Sequence, residues 1–465
     1  MHITDKHEEI VNKLSKQIVY FNDNNIPFRI YRGGTNSTRI ISFEKNKLLD
    51  IRMLSKVISV NIKNKTAVVE PNVPMDKLVR ETLKYGLVPQ VVMEFPGITV
   101  AGGIQGGAGE SSSFRYGIFN SIANWYELIL ADGSIIKASK DVNSDLFWTC
   151  AGSYGTLGVM TAIEINLIPA KKYVQLEYIP VCGYADAIKL ISDEIKKVPD
   201  YIDGILFSKD NGVVMIGKLT DSLGHPKQTF RKATDDWFFS HVEKMQNRNI
   251  EIIPIVDYLF RYDRGGFWTG KLCFEMFNTP FNKLTRWFLN PLMKVRKMYS
   301  ALQASGVSQQ WIIQDVCIPI EKSVEFLQYI EDKFSIFPLW LCPLMPDKKS
   351  VFIPTNLQTK MVMNVGVWGR FDGDYGELVK ANRDFEKKIF EVNGKKVLYA
   401  QAFYDEDIFW QIYGGKQKYD KIRSKYKATY LPTIYDKIIV SEKHKVSSKR
   451  GVLFALLGLD GIKIK

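Results

Sequence analysis

The stretch PGITVAGGIQGGAGESSS, residues 96–113, decides how this chain is read. Glycines at 97, 102, 103, 106, 107 and 109 alternate with hydroxyl side chains at Thr99, Ser111, Ser112 and Ser113. Glycine takes positive φ and lets the backbone approach a ligand, so successive N–H groups can converge on a phosphate. Two further segments have the same character: RGGTNSTR, residues 32–39, after the run IPFRIY, and AGSYGTLG, residues 151–158. Each alone fits a turn or a bulge. Three together, each between regular elements and each beside Ser, Thr or Asn, point to a nucleotide cofactor. Two familiar motifs fail: GGIQGGAGESS has no Lys-Ser/Thr ending, and no G-x-G-x-x-G opens a helix after a first strand with an acid to follow. A dinucleotide must be held some other way.

Around these loops, residues from about 11 to 170 alternate short β-rich runs with helical stretches, the pattern of an α+β or α/β domain. IPFRIY, TAVVEP, WYELILADGSIIKA and GVMTAIEINLIP read as strands, and Ala131-Asp132-Gly133-Ser134 as a two-residue hairpin turn. PMDKLVRETLKYG reads as a helix with Met75, Leu78, Val79 and Leu83 on one face and Gly86 at its end. After Pro169-Ala170-Lys171-Lys172 the glycine-rich character fades, which places a boundary there. Beyond it, YIPVCGYADAIKLISDEI and VCIPIEKSVEFLQYIEDKF each read as a strand followed by a helix, implying one sheet backed by helices.

Composition limits the alternatives. The chain has 465 residues, 46% of them hydrophobic, and a net charge of +13, which excludes disorder and fibrous scaffolds. Five dispersed cysteines and five dispersed histidines support neither a disulfide framework nor a zinc site, and fit a reducing, cytoplasmic setting. The polar start MHITDKHEEIVNK lacks the apolar core of a signal peptide. The run GVLFALLGL, residues 451–459, is too short to span a bilayer. Preceded by Lys437, Lys443, Lys445, Lys449 and Arg450, it is either a terminal helix packed on its own domain or a peripheral contact with anionic lipid. Scattered basic residues without a recognition module argue against nucleic acid, and no pattern specifies an oligomer.

YRGGTNSTR, FPGITVAGGIQGGAGESSSFRYGIF, YELILADGS, NSDLFW and GTLGVMTAIEINLIPAKKYV, in this order, resemble the FAD-binding domain of the vanillyl-alcohol oxidase superfamily. ESSS before Tyr116-Gly117, then NSDLFW, GTLG and IPAKKYV, resemble the Δ24-sterol reductase family. Similarity continues through DYLFRYDRGGFW, IIQDVCIP, PLWLCP, LYAQAFYDEDIFW and YLPTIYDKI. The resemblance implies an α+β fold: a two-part PCMH-type FAD-binding domain at 1–172, an α+β substrate or cap domain at 173–400, and a C-terminal segment at 401–465 returning to the first. It implies that Arg32, Gly33, Gly34, Thr35, Asn36, Ser37 and Thr38 wrap the FAD pyrophosphate. Gly97, Thr99, Gly102, Gly103, Gly106, Glu110, Ser111, Ser112 and Ser113 would follow the ribityl chain and isoalloxazine, with Gly158 and Val159 at the adenine end or flavin edge. Oxidases of the superfamily that tether FAD place His in the first loop, where this chain has Asn36, and the second loop has neither His nor Cys. Noncovalent FAD is therefore expected. Animal and plant members also carry an N-terminal membrane segment with no counterpart in this sequence.

The reaction implied is reduction of a carbon–carbon double bond in a sterol or isoprenoid lipid, with NADPH as donor, by hydride from flavin N5 and a proton from the protein. An unactivated alkene is a poor hydride acceptor, so an acid must stand near the flavin within aromatic walls. Asp315, in the apolar run IIQDVCIP, is the leading acid; the alternative is a buried ion pair with Arg261 or Arg264. Tyr404 and Glu94 are the other candidates. Phe267, Trp268 and Trp340, with Arg261 and Arg264, are expected toward the substrate, although such aromatics are commonly core. The competing readings are an FAD-dependent oxidase or dehydrogenase of an alcohol, sugar or lactone, and a flavin- or lipid-binding protein without turnover.

Overall fold

In the N-terminal helix Asp5–Asp23, residues Val11, Leu14, Ile18 and Phe21 recur at helical spacing and bury against Leu49, Ile51, Ile129 and Val159. The computed structural model describes residues 5–440 and 442–465. Beneath this helix lies an antiparallel six-stranded sheet in the order Val57–Asn61, Thr66–Val69, Val159–Pro169, Ala123–Ile129, Ile135–Ser139, with Leu87–Pro89 pairing the far end of Val159–Pro169. The expected strands are therefore present, although IPFRIY contributes only Arg29–Tyr31, which pairs in parallel with Leu48–Asp50. The helix read from PMDKLVRETLKYG spans Met75–Leu83 and buries Met75, Leu78 and Val79.

The hairpin at Ala131–Ser134 forms with a longer loop than a two-residue turn. Leu130 N–H donates to the Ser134 carbonyl at 2.8 Å, and Gly133 N–H to the Leu130 carbonyl at 3.0 Å. Gly133 sits at φ +85°, so a type I turn is followed by a left-handed residue that restores the strand twist.

The second sheet has eight strands in the order Asn249–Pro254, Tyr173–Val181, Asn211–Thr220, Tyr201–Ser208, Leu339–Leu344, Val362–Arg370, Trp311–Pro319, Lys395–Lys396. It consists of two β-α-β-β units, one starting at Tyr173 and one at Trp311, joined where Gly204, Ile205 and Leu206 pair with Leu341, Trp340 and Leu339. Helices Tyr184–Glu194, Ser323–Phe334 and Tyr375–Glu391 cover one face. The two-residue period of a strand sorts the side chains. Ile312, Val316, Ile318, Leu339, Leu341, Met363, Val365 and Val367 point into that helical layer. Ile313, Asp315, Trp340, Asn364 and Trp368 point the other way and line the main cavity.

Residues 419–431 pack on the first sheet's side of the molecule. Tyr419 hydroxyl bonds Thr156 at 2.7 Å, Tyr430 hydroxyl donates to the Ala131 carbonyl at 2.7 Å, and Ala428 and Leu431 join the N-terminal helix cluster. The run GVLFALLGL falls in the helix Ser448–Leu457 as far as Leu457, with Gly458 capping it; Gly451 and Ala455 are buried, and Gly451 lies close against Ala301 and Ser305. Among the described residues no helix is long and apolar enough to cross a membrane.

Candidate active site

A cavity of about 1060 Å³ runs from the glycine loops to the inner face of the eight-stranded sheet. At one end, Arg32, Gly34, Thr35, Asn36, Ser37 and Thr38 face Thr99, Gly102 and Gly106, with Gly158 and Val159 also in the wall. Thr99 caps the helix Val100–Gly106: its hydroxyl accepts from Gly102 N–H at 3.2 Å and from Arg32 Nη1 at 2.8 Å. Nothing lies within 4 Å of a side chain built at Gly34 or Gly106. The space over both is open to a ligand.

The amides of the first loop divide into two groups. Ser37 N–H donates to Thr35 Oγ1 at 3.0 Å and Thr38 N–H to the Tyr399 carbonyl at 3.2 Å, so those donors are internally satisfied. Among the described residues the amides of Gly34, Thr35 and Asn36 have no such partner, which narrows the expected Arg32–Thr38 cradle to these positions. The buried hydroxyl of Thr38 has no hydrogen-bond partner among the described residues. Arg29, Arg39 and Lys437 line the same region, and among the described residues none has a carboxylate within ion-pair distance. Arg39 donates to the carbonyls of Leu398 and Ala400, and Lys437 to that of Tyr154. Burial, followed by the charges of Arg29 and Arg39, pulls the Lys437 amine down to about 7. Open glycines, free amides, an orphaned hydroxyl and uncompensated cations together fit a diphosphate. Arg29 and Arg39 were not singled out, and Lys437, read with the basic residues before the 451–459 run, lines the cavity instead, because their meeting depends on the returning C-terminal segment.

The other end of the cavity is acidic and aromatic. Asp315 Oδ2 accepts from the Tyr399 hydroxyl at 2.6 Å and Oδ1 from Asn364 Nδ2 at 3.0 Å, while Trp368 Nε1 donates to the Tyr399 oxygen at 3.2 Å. Burial pushes the Asp315 carboxyl up to about 6 against these two hydrogen bonds, which favour the ionised form. Glu94 lines the same chamber without a side-chain hydrogen bond to another residue. Burial, then the charges of Glu110 and Asp315, raise it to about 8. Asp315 pairs with neither Arg261 nor Arg264, which overturns the ion-pair alternative.

Phe267 closes this chamber with Trp340 and Trp368, at ring-centre distances of 5.2 and 4.5 Å. It sits at φ +60°, after Gly265 at +82° and Gly266 at +51°. A bulky residue in the left-handed region is strained, and such strain concentrates at functional sites. Gly366 opposes Asp315 across the strand pair, and a side chain built there would lie 2.6 Å from the Trp368 indole. Glycine is what lets the acid and the indole share one face.

Several expected site residues lie elsewhere. Tyr404 is buried among Phe409 and Tyr413, outside the cavity wall, with its hydroxyl unpartnered. Trp268 stands behind the wall, donating from Nε1 to the Trp368 carbonyl at 2.9 Å. Arg264 ties together the carbonyls of Phe230, Ala233, Asp235 and Asp236. Gly33 and Gly97 pack beneath Arg52 and Arg296, and Gly103 against Met93 and Phe119. Glu110, Ser111, Ser112 and Ser113 are also outside the wall. Glu110 and Asp203 bracket Arg261 at 2.8 and 2.9 Å, with Tyr262 and Trp340 donating to Asp203. Ser111 bonds Glu110 and Tyr258, and Ser112 donates to the Gln90 carbonyl. This buried network joins the second loop to the eight-stranded sheet and so positions the chamber. Tyr399, inside the run LYAQAFYDEDIFW, and Trp368, in the unread stretch between PLWLCP and that run, both went unrecognised.

A family model described as "FAD binding domain" matches residues 9–139. The Delta(24)-sterol reductase of Homo sapiens is 30% identical over 451 residues, covering 94% of this chain and 87% of that protein. That of Arabidopsis thaliana is 29% identical, covering 83% and 76%. Cytokinin dehydrogenase 4 of Oryza sativa matches over 184 residues, 39% of this chain and 34% of its own, at 28% identity. At 30% identity over 94% of its length with Delta(24)-sterol reductases of Homo sapiens and Macaca fascicularis, this chain belongs to the Delta(24)-sterol reductase family.

Proposed function

We propose that this protein is an FAD-dependent reductase of a sterol carbon–carbon double bond, with a Δ24-sterol as substrate and NADPH as electron donor. In this reading residues 1–172 and 401–465 hold FAD without a covalent link, and residues 173–400 cover the reacting face. The observation that carries it is the pair of carboxyls, Asp315 and Glu94, in one aromatic chamber continuous with the glycine cradle.

When bound, FAD supplies two-electron chemistry, a hydride from N5. The free amides of Gly34 to Asn36, the Thr38 hydroxyl, Arg39 and Lys437 would bind its diphosphate. Phe267, Trp340 and Trp368 exclude water and present π faces to positive charge developing on the alkene. The proton comes from Asp315, reprotonated through the Tyr399 hydroxyl, which Trp368 Nε1 orients, or by Glu94, whose carboxyl is raised to about 8. Two neighbouring carboxyls held at different pKa values by burial and charge allow one to remain a proton store while the other cycles.

The test is stopped-flow reduction of the anaerobic flavoprotein by NADPH, followed by mixing with a Δ24-sterol or with oxygen. Rapid bleaching by NADPH and faster reoxidation by the sterol support the reading. Bleaching by polyols or lactones with fast oxygen reoxidation would assign an oxidase, and no bleaching by either would assign a carrier.

A further inference from the structure

Two helices beside the cavity expose apolar triads at the same helical spacing. In Lys283–Leu289, residues Leu284, Trp287 and Phe288 are 72%, 53% and 73% exposed; in Ser448–Leu457, Leu453, Leu456 and Leu457 are 51%, 61% and 63% exposed. Each triad follows the i, i+3, i+4 rule, so each forms a continuous stripe on one helix face. The Ser448–Leu457 helix turns its small residues, Gly451 and Ala455, against the helix Val295–Ser305, leaving the leucines on the opposite side. Both helices also contribute to the cavity wall, through Leu289 on one and Val452 and Ala455 on the other. Phe277 and Lys449 are at once exposed and lining, which marks an opening of the cavity at this surface.

Charge identifies the occupant. Lys283 adjoins the first stripe, and Lys443, Lys445, Lys449 and Arg450 precede or begin the second; among the described residues none of these has a carboxylate partner. A soluble partner helix would be met by complementary charges at specific positions, whereas leucine, tryptophan and phenylalanine flanked by unpaired cations suit the interface of an anionic bilayer. We propose that the Lys283–Leu289 and Ser448–Leu457 helices seat together in an anionic lipid leaflet and that the sterol passes from the membrane into the cavity beside them. The route of the sterol rests on the lipid-substrate reading above; the docking surface stands without it.

Flotation of the flavin-loaded protein with phosphatidylcholine vesicles, with and without phosphatidylserine, tests the surface. Binding is expected with phosphatidylserine and weakens in high salt. The double substitutions Trp287→Glu/Phe288→Glu and Leu453→Glu/Leu456→Glu should each lower the partition coefficient by about tenfold or more. Both variants should keep their flavin and their turnover of detergent-dispersed sterol, because none of the four residues lines the cavity. Failure of the parent protein to float, or variants that float equally well, would overturn the proposal. So would a sedimentation profile in which the parent is a dimer that these substitutions split, since the stripes would then face a second copy. Vesicle binding without sterol reduction would leave the surface intact and refute the proposed reaction.

Discussion

Replacing Tyr399 by phenylalanine removes the 2.6 Å donor to Asp315 Oδ2 while keeping the ring that packs beside Trp368. A hydrogen bond to an ionised group contributes about 1.5–3 kcal/mol, equivalent to about 1–2 pKa units. The bond favours the carboxylate, so its loss raises the Asp315 carboxyl from about 6 to about 7–8. A general acid works protonated, so the rate falls as pH rises through its pKa. The descending limb of single-turnover reoxidation by a Δ24-sterol therefore moves to higher pH by that interval in Tyr399→Phe, whatever happens to its height. Asp315→Asn should abolish the limb and slow the step by about 10²–10⁴-fold. Glu94→Gln should leave the limb in place. If the parent limb instead lies near the Glu94 value of about 8 and vanishes in Glu94→Gln, while Tyr399→Phe leaves it unmoved, the assignment of Asp315 as the acid is refuted.

Gly106→Ala adds one carbon with no atom outside its own helix within 4 Å; the apoprotein should melt no lower than the parent but bind FAD about tenfold or more weakly in a fluorescence titration. Gly366→Ala places a carbon 2.6 Å from the Trp368 indole and 3.1 Å from Asp315 Oδ1, so sterol turnover should collapse with flavin content preserved. His7 bonds Glu70 and Glu127 at 2.9 and 3.1 Å; burial opposes its charge, but the two carboxylates raise it from 6.5 to about 9. Its contribution to stability is full below pH 6.5 and lost as pH rises through about 9. His7→Gln should therefore cost about 3 kcal/mol in denaturant unfolding near pH 6 and remove the loss of stability between pH 6.5 and about 9, leaving Glu70 buried opposite a neutral amide.

The two β-α units were legible because period two and period 3.6 are local properties, and they lead directly to the eight-stranded sheet. Asp315 was legible as an oddity, a carboxylate in an apolar strand. Its neighbours were not, because Asn364 and Trp368 reach it across a strand pairing and Tyr399 across a further loop. Glu110 shows the opposite failure. It sits in the most glycine-rich segment and reads as a cofactor contact, yet its carboxylate turns inward to Arg261 because a buried guanidinium requires a charged partner more than an open loop does.

The amino-acid sequence by itself determined the three glycine loops, the alternation that aims residues at one face or the other, and the family to which the chain belongs. Only the folded chain decided which amides stay free, which cations converge without a counter-charge, and that Glu94 and Asp315 share a chamber. Steric permission and periodicity act between near neighbours along the backbone. Electrostatic fields and proton affinities depend on which distant segments are brought together and on how much water is left between them.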